Sequence, residues 1–476
     1  MGCSCEKTEI KESKKKKKII NKYSNTDIRK QFEFVYMLGN GAFGKVRLYR
    51  DKNDHQILYA IKTLKKNNIP KYEFKLLKSE VEILSELDHP NIVNYFGTFE
   101  DDFYIHIVME YLKGYDLFKV ISIKNYTGFD ENDMSIIIFQ LTKALYFIHS
   151  KNIIHRDIKP ENIIFANKHD YSSLKLIDFG LATNKKKDDK KVGTPYYMSP
   201  EMIKGNFCDK SDIWAIGIIL FLMLTDKFPF VQNKDNNVFN DICECKYNEK
   251  LLDEVDCSEE AKDLVKKILV VDVNKRISSK EILEHPFIKK NNKKINNKLI
   301  NNDTLITLKS FAHKNALQKE IFYFLAKIKN EEEISNLKQL FNDLDTGNSG
   351  RLTINEIRNG FKKLGIEINE NELEEIWEGL NFHNDEQINY TEFLAAMMSS
   401  YKFNKEENLW VVFNYFKDND NKKNEYISID NLINMCKSMN LPINEEEIKK
   451  NLIGFNKNKL NFEDFKKIMG IVNEDE

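Results

Sequence analysis

The chain has 476 residues, 41% of them hydrophobic and 31% charged, the balance of a globular protein of about three domains. A formal net charge of −1 argues against nucleic acid as a partner, and seven cysteines without a CxxC pair argue against a disulfide framework or zinc site, so the expected compartment is reducing. The longest apolar run, Ile213 to Leu224, falls short of the ~20 residues of a membrane-spanning helix.

The first segment, 1–30, opens with Met1-Gly2-Cys3-Ser4-Cys5 and runs into the lysines Lys14 to Lys18, with no apolar stretch behind them to act as a secretory signal. Gly2 is placed for N-myristoylation once Met1 is removed, although Glu6 stands where the motif has Ser or Thr. A single myristoyl chain binds a membrane marginally, so a second signal is needed: palmitate on Cys3 or Cys5, or the lysines at ~1 kcal/mol each beside an anionic leaflet. The expectation is a lipid-anchored protein at the cytoplasmic face of a membrane and in the cytoplasm. A solvated tail is the alternative.

Phe32 to Tyr36 alternates like a strand and leads into Leu38-Gly39-Asn40-Gly41-Ala42-Phe43-Gly44-Lys45-Val46. A dinucleotide-binding turn shares these glycines but runs directly into a helix. Here Val46 to Tyr49 reads as a second strand and Ile57 to Lys62 as a third, with Ala60-Ile61-Lys62 in the pattern that directs a lysine at nucleotide phosphates. Residues 73–87 have helical spacing. Glu80 lies on the core-facing side and can pair with Lys62, whereas Glu82 would point about 200° round the helix.

Further on stand His155-Arg156-Asp157-Ile158-Lys159-Pro160-Glu161-Asn162 and Asp178-Phe179-Gly180. With the glycine loop and the strand lysine upstream, this order resembles the eukaryotic protein kinase superfamily over residues 32 to about 288. The resemblance implies a bilobal fold that binds ATP and Mg2+. Asp157 would be the catalytic base, Lys159 its neighbour on the γ-phosphoryl group, and Lys62 and Glu80 the phosphate-anchoring pair. Asn162 and Asp178 would hold magnesium. The nucleotide would be bounded by Leu38, Gly39, Gly41, Gly44, Val46, Ala60, Lys62, the hinge residues Glu110 and Leu112, Asp116 near the ribose, Glu161, Asn162 and Asp178. Glu201 would pair with Arg276, and Asp212 to Gly217 would begin the buried helix that accounts for the apolar run.

Lys159 two residues past the base, and Gly193-Thr194-Pro195-Tyr196 before Ser199-Pro200-Glu201, resemble serine/threonine kinases and differ from tyrosine kinases at both places. Glu161 and Asp116 add negative charge near the substrate groove, so protein substrates with basic residues upstream of the target Ser or Thr are expected. Residues 184–192 contain no Ser, Thr or Tyr, so the usual activating phosphorylation site is missing; Asp188 or Asp189 could supply a fixed anion to Arg156.

Residues 289–329 carry a net charge of +8, and residues 331–392 one of −10. In the basic stretch, 305–318 reads as one amphipathic helix, of the kind that lies in the groove of a calmodulin-like domain. Next, Asp345 to Glu356 fits an EF-hand loop in which Asp345, Ser349, Arg351 through its carbonyl, Thr353 and Glu356 would ligate Ca2+, while Gly347 deletes one ligand. A second loop, Asn381 to Glu392, has His383 at position three and Glu386 where the turn needs Gly. A third near Asp418 to Asn431 and a fourth from Ile453 to Asp464 lack more ligands, though Ile427-Ser428 and Leu460-Asn461-Phe462 suit the short paired strands that couple two hands.

The whole, over about 32 to 470, resembles the calcium-dependent protein kinase family of plants and protists. The expected fold class is α+β: an acylated basic tail at 1–30, a kinase domain at 31–288, a basic autoinhibitory junction at 289–330, and an all-α calmodulin-like domain of mostly degenerate EF-hands at 331–472. The resemblance implies autoinhibition by the junction helix, relieved when calcium binds. Two alternatives stay open: an active kinase whose EF-hands are a calcium-insensitive docking domain, and a catalytically silent membrane-bound sensor or scaffold.

Overall fold

The computed structural model describes residues 22–24, 28–41, 44–52, 54–66, 71–124, 130–184, 193–230, 237–291, 300–400, 406–417, 426–438, 446, 448–449 and 459–470. Gly2, Cys3, Asp188, Asp189 and parts of the third and fourth EF loops lie outside them. The first lobe is built on strands β1 (Lys22–Ser24), β2 (Phe32–Gly41), β3 (Gly44–Asp51), β4 (Leu58–Lys65), β5 (Tyr95–Glu100) and β6 (Tyr104–Glu110), in the sheet order β1-β5-β6-β4-β3-β2. Helix α1 (Lys71–Glu86) follows β4. The glycine-rich turn is the β2–β3 hairpin, with Gly39 opposite Val46 and Gly41 opposite Gly44. Gly44 admits no side chain: a Cβ there would lie 2.5 Å from the Thr63 carbonyl oxygen on β4. That close approach fixes the hairpin over the strand that carries Lys62.

The second lobe is helical. Helix α2 (Leu117–Lys124) precedes α3 (Glu131–Ser150), which starts where the Asp130 carboxylate accepts the Asn132 N–H, and buries Ile137, Ile138, Leu141 and Ile148. The short strands β7 (Ile163–Phe165) and β8 (Leu174–Leu176) frame the catalytic loop. Then come α4 (Pro200–Ile203), α5 (Asp209–Thr225), α6 (Val238–Glu244), α7 (Lys250–Glu254), α8 (Glu259–Ile268), α9 (Ser279–Leu283) and α10 (Pro286–Asn291). Apolar on every side, α5 is the core of this lobe. A Cβ on Gly217 would sit 2.6 Å from Ile268, so glycine lets α5 and α8 touch.

The junction departs from the single helix expected at 305–318. Helix α11 (Asn302–Ala312) stops before His313, and Asn315 opens α12 (Ala316–Ile328) with a capping box to Gln318. The physical reason is local: Asn315 accepts the Gln318 N–H and Gln318 accepts the Asn315 N–H, which satisfies two orphan donors better than continuing the first helix does. Leu308 and Phe311 of α11 are buried in the same core as the EF-hand helices α13 (Glu331–Leu344), α14 (Ile354–Lys362), α15 (Glu370–Leu380) and α16 (Tyr390–Met398). Lys309 lies 3.1 Å from Glu372, and a Cβ on Gly379 would meet Ala312 at 2.3 Å. The basic junction thus sits on the acidic hands. Their two loops pair through Leu352 and Ile388. Beyond α17 (Glu406–Phe416), Ile427 pairs with Leu460 and Ser428 with Lys459.

The unit of α13 to α16 docks on the two lobes. Thr391 donates to Asp88 at 2.9 Å, and Lys175 lies 2.8 Å from Glu331 and 3.2 Å from Glu110. Lys143 reaches Asp345.

Candidate functional site

Strand β4 delivers Lys62 into the space between the lobes, almost fully buried, and α1 sets Glu80 beside it. Lys62 Nζ lies 2.6 Å from Glu80 Oε1 and 3.1 Å from Asp178 Oδ1, while Glu82 faces outward near Lys78. Burial works against the Lys62 charge, but the two carboxylates overcome it and hold the amine protonated, its pKa above the ordinary lysine value. Burial also works against Asp178, yet Lys62 keeps its carboxyl below the usual range. Burial raises the Glu80 carboxyl above its ordinary value, against the opposing pull of the Lys62 ammonium that it meets at 2.6 Å.

The catalytic loop makes a second cluster. Asp157 Oδ2 accepts Lys159 Nζ at 2.7 Å and Asn162 Nδ2 at 3.1 Å, and its Oδ1 accepts the Thr194 hydroxyl at 2.9 Å. Lys159 also donates to Thr194 Oγ1 at 3.0 Å. Arg156 and Asp178 both take left-handed backbone, φ +67° and +58°, a strain that non-glycine residues hold only where surrounding contacts enforce it. Asp212 supplies that enforcement for Arg156: its carboxylate accepts the backbone N–H of His155 and of Arg156, each at 2.9 Å, and His149 Nε2 at 2.9 Å. Phe179 is fully buried edge-on against His155.

Thr194 and Asp212 were read from the sequence only as parts of longer motifs. Asp212 had a signal, a carboxylate at the head of an otherwise apolar helix. Thr194 had none for its contact with Asp157.

Other candidates are placed as follows. Glu201 accepts both arms of Arg276, at 2.7 and 3.0 Å, and the Ser211 hydroxyl at 2.7 Å. Asp116 caps α2 by accepting the Lys119 N–H, and Glu161 is exposed. The Glu110 carboxylate points away from a nucleotide, accepting the Asn94 N–H and meeting Lys175, which leaves only the backbone of Glu110 for the hinge role. Leu38, Gly39 and Val46 lie along the β2–β3 hairpin, Ala60 on β4 and Leu112 just past β6. A cleft of about 190 Å³ lies behind Glu110, lined also by Lys113, Lys327 and Glu331, and is a seam between the two lobes and the carboxy-terminal helices.

The donor set suits magnesium. Asp178 is an anionic carboxylate, and Asn162 uses its N–H2 on the Asp157 carbonyl and carboxylate, leaving its carbonyl oxygen as an acceptor.

In the first EF-hand loop the expected calcium ligands meet groups of the protein itself. Asp345 Oδ1 accepts the Ser349 N–H at 2.8 Å; its Oδ2 accepts the Gly350 N–H at 3.0 Å and meets Lys143 at 3.1 Å. Glu356 accepts Gly347 N–H at 2.9 Å and, as a capping box, Thr353 N–H and hydroxyl at 2.9 and 2.8 Å. The Arg351 carbonyl takes the Ser349 hydroxyl at 2.9 Å. All five expected ligands are engaged with protein groups. In the second loop His383 bridges Glu392 at 3.2 Å and Glu320 at 3.3 Å. Burial opposes the charge on His383, but these two carboxylates push its pKa up to about 9.

Residues 32–288 match the family model described as a protein kinase domain, and residues 334–398 one described as an EF-hand domain pair. The chain is 33% identical to calcium-dependent protein kinase 17 of Arabidopsis thaliana over 457 residues, covering 94% of this chain and 85% of that protein. It is 32% identical to calcium-dependent protein kinase 22 of the same plant, over 82% of this chain and 80% of the relative. It is also 32% identical to calcium-dependent protein kinase 19 of Oryza sativa subsp. japonica, over 83% of this chain and 74% of the relative.

Proposed function

The chain belongs to the calcium-dependent protein kinase family, and on that premise we propose that it transfers the γ-phosphoryl group of ATP to serine and threonine hydroxyls of proteins, under calcium control. One observation carries the catalytic half: the pairing of Lys62 with Glu80 and Asp178, together with the Asp157–Lys159–Thr194 network. Lys62, oriented by Glu80, meets the α- and β-phosphates. Asp157 orients the incoming hydroxyl and takes its proton, and Lys159 offsets negative charge beside it. Magnesium held by Asp178 and Asn162 would neutralise phosphate charge. Thr194, bonded to both Asp157 and Lys159, keeps their separation fixed.

For the purified full chain with ATP, magnesium and a basic serine peptide, Lys62→Met is expected to cut transfer by at least ~10²-fold. Activity within tenfold of the unmutated chain would overturn the assignment.

Control is proposed to run through the junction. Here α11 is held by the EF-hand pair, so inhibition of the kinase groove requires that α11 leave it. A second reading, that the EF-hand pair is a fixed docking domain insensitive to calcium, is favoured by one observation: Asp345 and Glu392 each already face a protein cation. Membrane attachment through acylated Gly2 and Cys3 and the lysine run, and a preference for basic residues upstream of the phosphorylated residue, complete the proposal. The first draws support from the sequence, the second from exposed Glu161.

A further inference from the structure

The contact between the first EF-hand loop and the kinase domain is built around a cation that the protein itself provides. Lys143 stands in the middle of α3, its side chain 1% exposed, and its Nζ lies 3.1 Å from Asp345 Oδ2 and 2.9 Å from Asn342 Oδ1. Asp345, the first residue of the loop, is itself fully buried there. The loop is pressed down on the same face: Gly350, at the sixth position, leaves so little room that a Cβ would lie 2.1 Å from His89 Cδ2. The Arg351 guanidinium stands over the Phe147 ring at 5.8 Å.

We propose that Lys143 is an intramolecular occupant of the first EF-hand loop, which therefore holds either Lys143, with the kinase domain docked, or calcium, with this contact parted, but not both. Calcium needs about six to eight oxygens and draws on both Asp345 and Glu356. A divalent ion bound through Asp345 would sit within Coulomb range of the Lys143 ammonium inside a seam closed to water, where like charges repel strongly. The Lys143 amine has three donors and is satisfied by Asp345 and Asn342 without rearranging Glu356. The inference rests on the EF-hand reading above and deepens it: calcium competes with a kinase-domain side chain for one carboxylate.

The apparent calcium affinity of this loop is then lowered by the fraction of time that Lys143 is absent from it. If that fraction is about one-tenth, removing the amine tightens binding ~10-fold.

Two measurements test this on the full chain. In titration calorimetry, Lys143→Ala is expected to bind calcium ~10-fold more tightly than the unmutated protein, or to bind it where the unmutated protein does not. Affinities equal within twofold, or no binding by either, overturn the proposal. Because Lys143→Ala removes a buried partner of Asp345, the second measurement needs no variant: amine acylation of Lys143, followed by mass spectrometry, in chelator and in calcium. Slow labelling in chelator and at least ~10-fold faster labelling in calcium is expected. Unchanged labelling at a calcium concentration that calorimetry shows to be bound overturns the proposal. Neither readout uses phosphate transfer, so failure of the kinase assignment is seen separately.

Discussion

Gly350 and Gly365 offer a controlled pair for testing how the EF-hand loop docks. Both take left-handed backbone, φ +73° and +72°, so alanine at either costs about 1–2 kcal/mol of conformational strain. They differ in surroundings: a Cβ on Gly365 meets nothing within 4 Å, whereas one on Gly350 would lie 2.1 Å from His89 Cδ2 and 2.7 Å from its Nε2. His89 cannot retreat, because it is buried, packs on Phe147 with ring centroids 5.0 Å apart, and accepts the Asn91 N–H at 2.9 Å. Overpacking of this kind costs about 1–3 kcal/mol, and parting the loop from the kinase domain relieves it. Gly350→Ala should therefore lower the docked-to-undocked ratio about 5- to 150-fold more than Gly365→Ala does. The assay is the acylation rate of Lys175, buried between Glu110 and Glu331, which rises in proportion to the undocked fraction. Equal Lys175 rates in the two variants would refute the reasoning.

Arg276→Ala removes both arms of the bond to Glu201 and leaves that carboxylate, which keeps the Ser211 hydroxyl, without its buried cation; a loss of about 3–5 kcal/mol is expected in the kinase lobe, read as a lower thermal unfolding midpoint by circular dichroism. An unmoved midpoint would contradict it. Glu331 is buried, which works against its charge, but Lys175 and Lys338 hold its carboxyl below the ordinary value of 4.5. A depressed folded-state value contributes stability above the ordinary carboxylate value and loses it as pH falls through the folded one, so the midpoint of the unmutated chain should drop more steeply below pH ~4.5 than that of Glu331→Gln. Parallel decline in the two proteins would refute this. Gly2→Ala should move the chain from membrane to supernatant on fractionation, since electrostatic attraction alone remains; retention at high salt would count against the acyl anchor.

The catalytic cluster is legible in sequence because the chemistry fixes residue types at short, ordered spacings: Lys62 on a strand, Asp157 and Asn162 in one loop, Asp178 before Phe179 and Gly180. Helical geometry alone separates Glu80 from Glu82, since one faces the core and the other solvent. The break at His313 to Asn315 was missed because both halves carry the same apolar spacing, and only the capping box of Asn315 with Gln318 marks the boundary. The docking of the EF-hand loop could not be read at all. Lys143 looks like any helix lysine, and its partner Asn342 lies 199 residues away. Nothing local announces a cation position filled from another domain. The same holds for Glu110, whose place at the end of β6 suggests the hinge but not the turn of its carboxylate towards Lys175.

Asp157 serves phosphate transfer to serine or threonine, and calcium governs its rate. The direct measurement follows phosphate from the γ-position of ATP into a basic serine peptide, with the full chain and its Asp157→Asn variant, each in calcium and in chelator. Transfer by the unmutated chain is expected to depend on calcium, and to fall at least ~10²-fold in Asp157→Asn under both conditions. Transfer by Asp157→Asn within tenfold of the unmutated chain would contradict the catalytic assignment. Equal rates in calcium and chelator would contradict the calcium control and leave the EF-hand pair as a fixed docking domain.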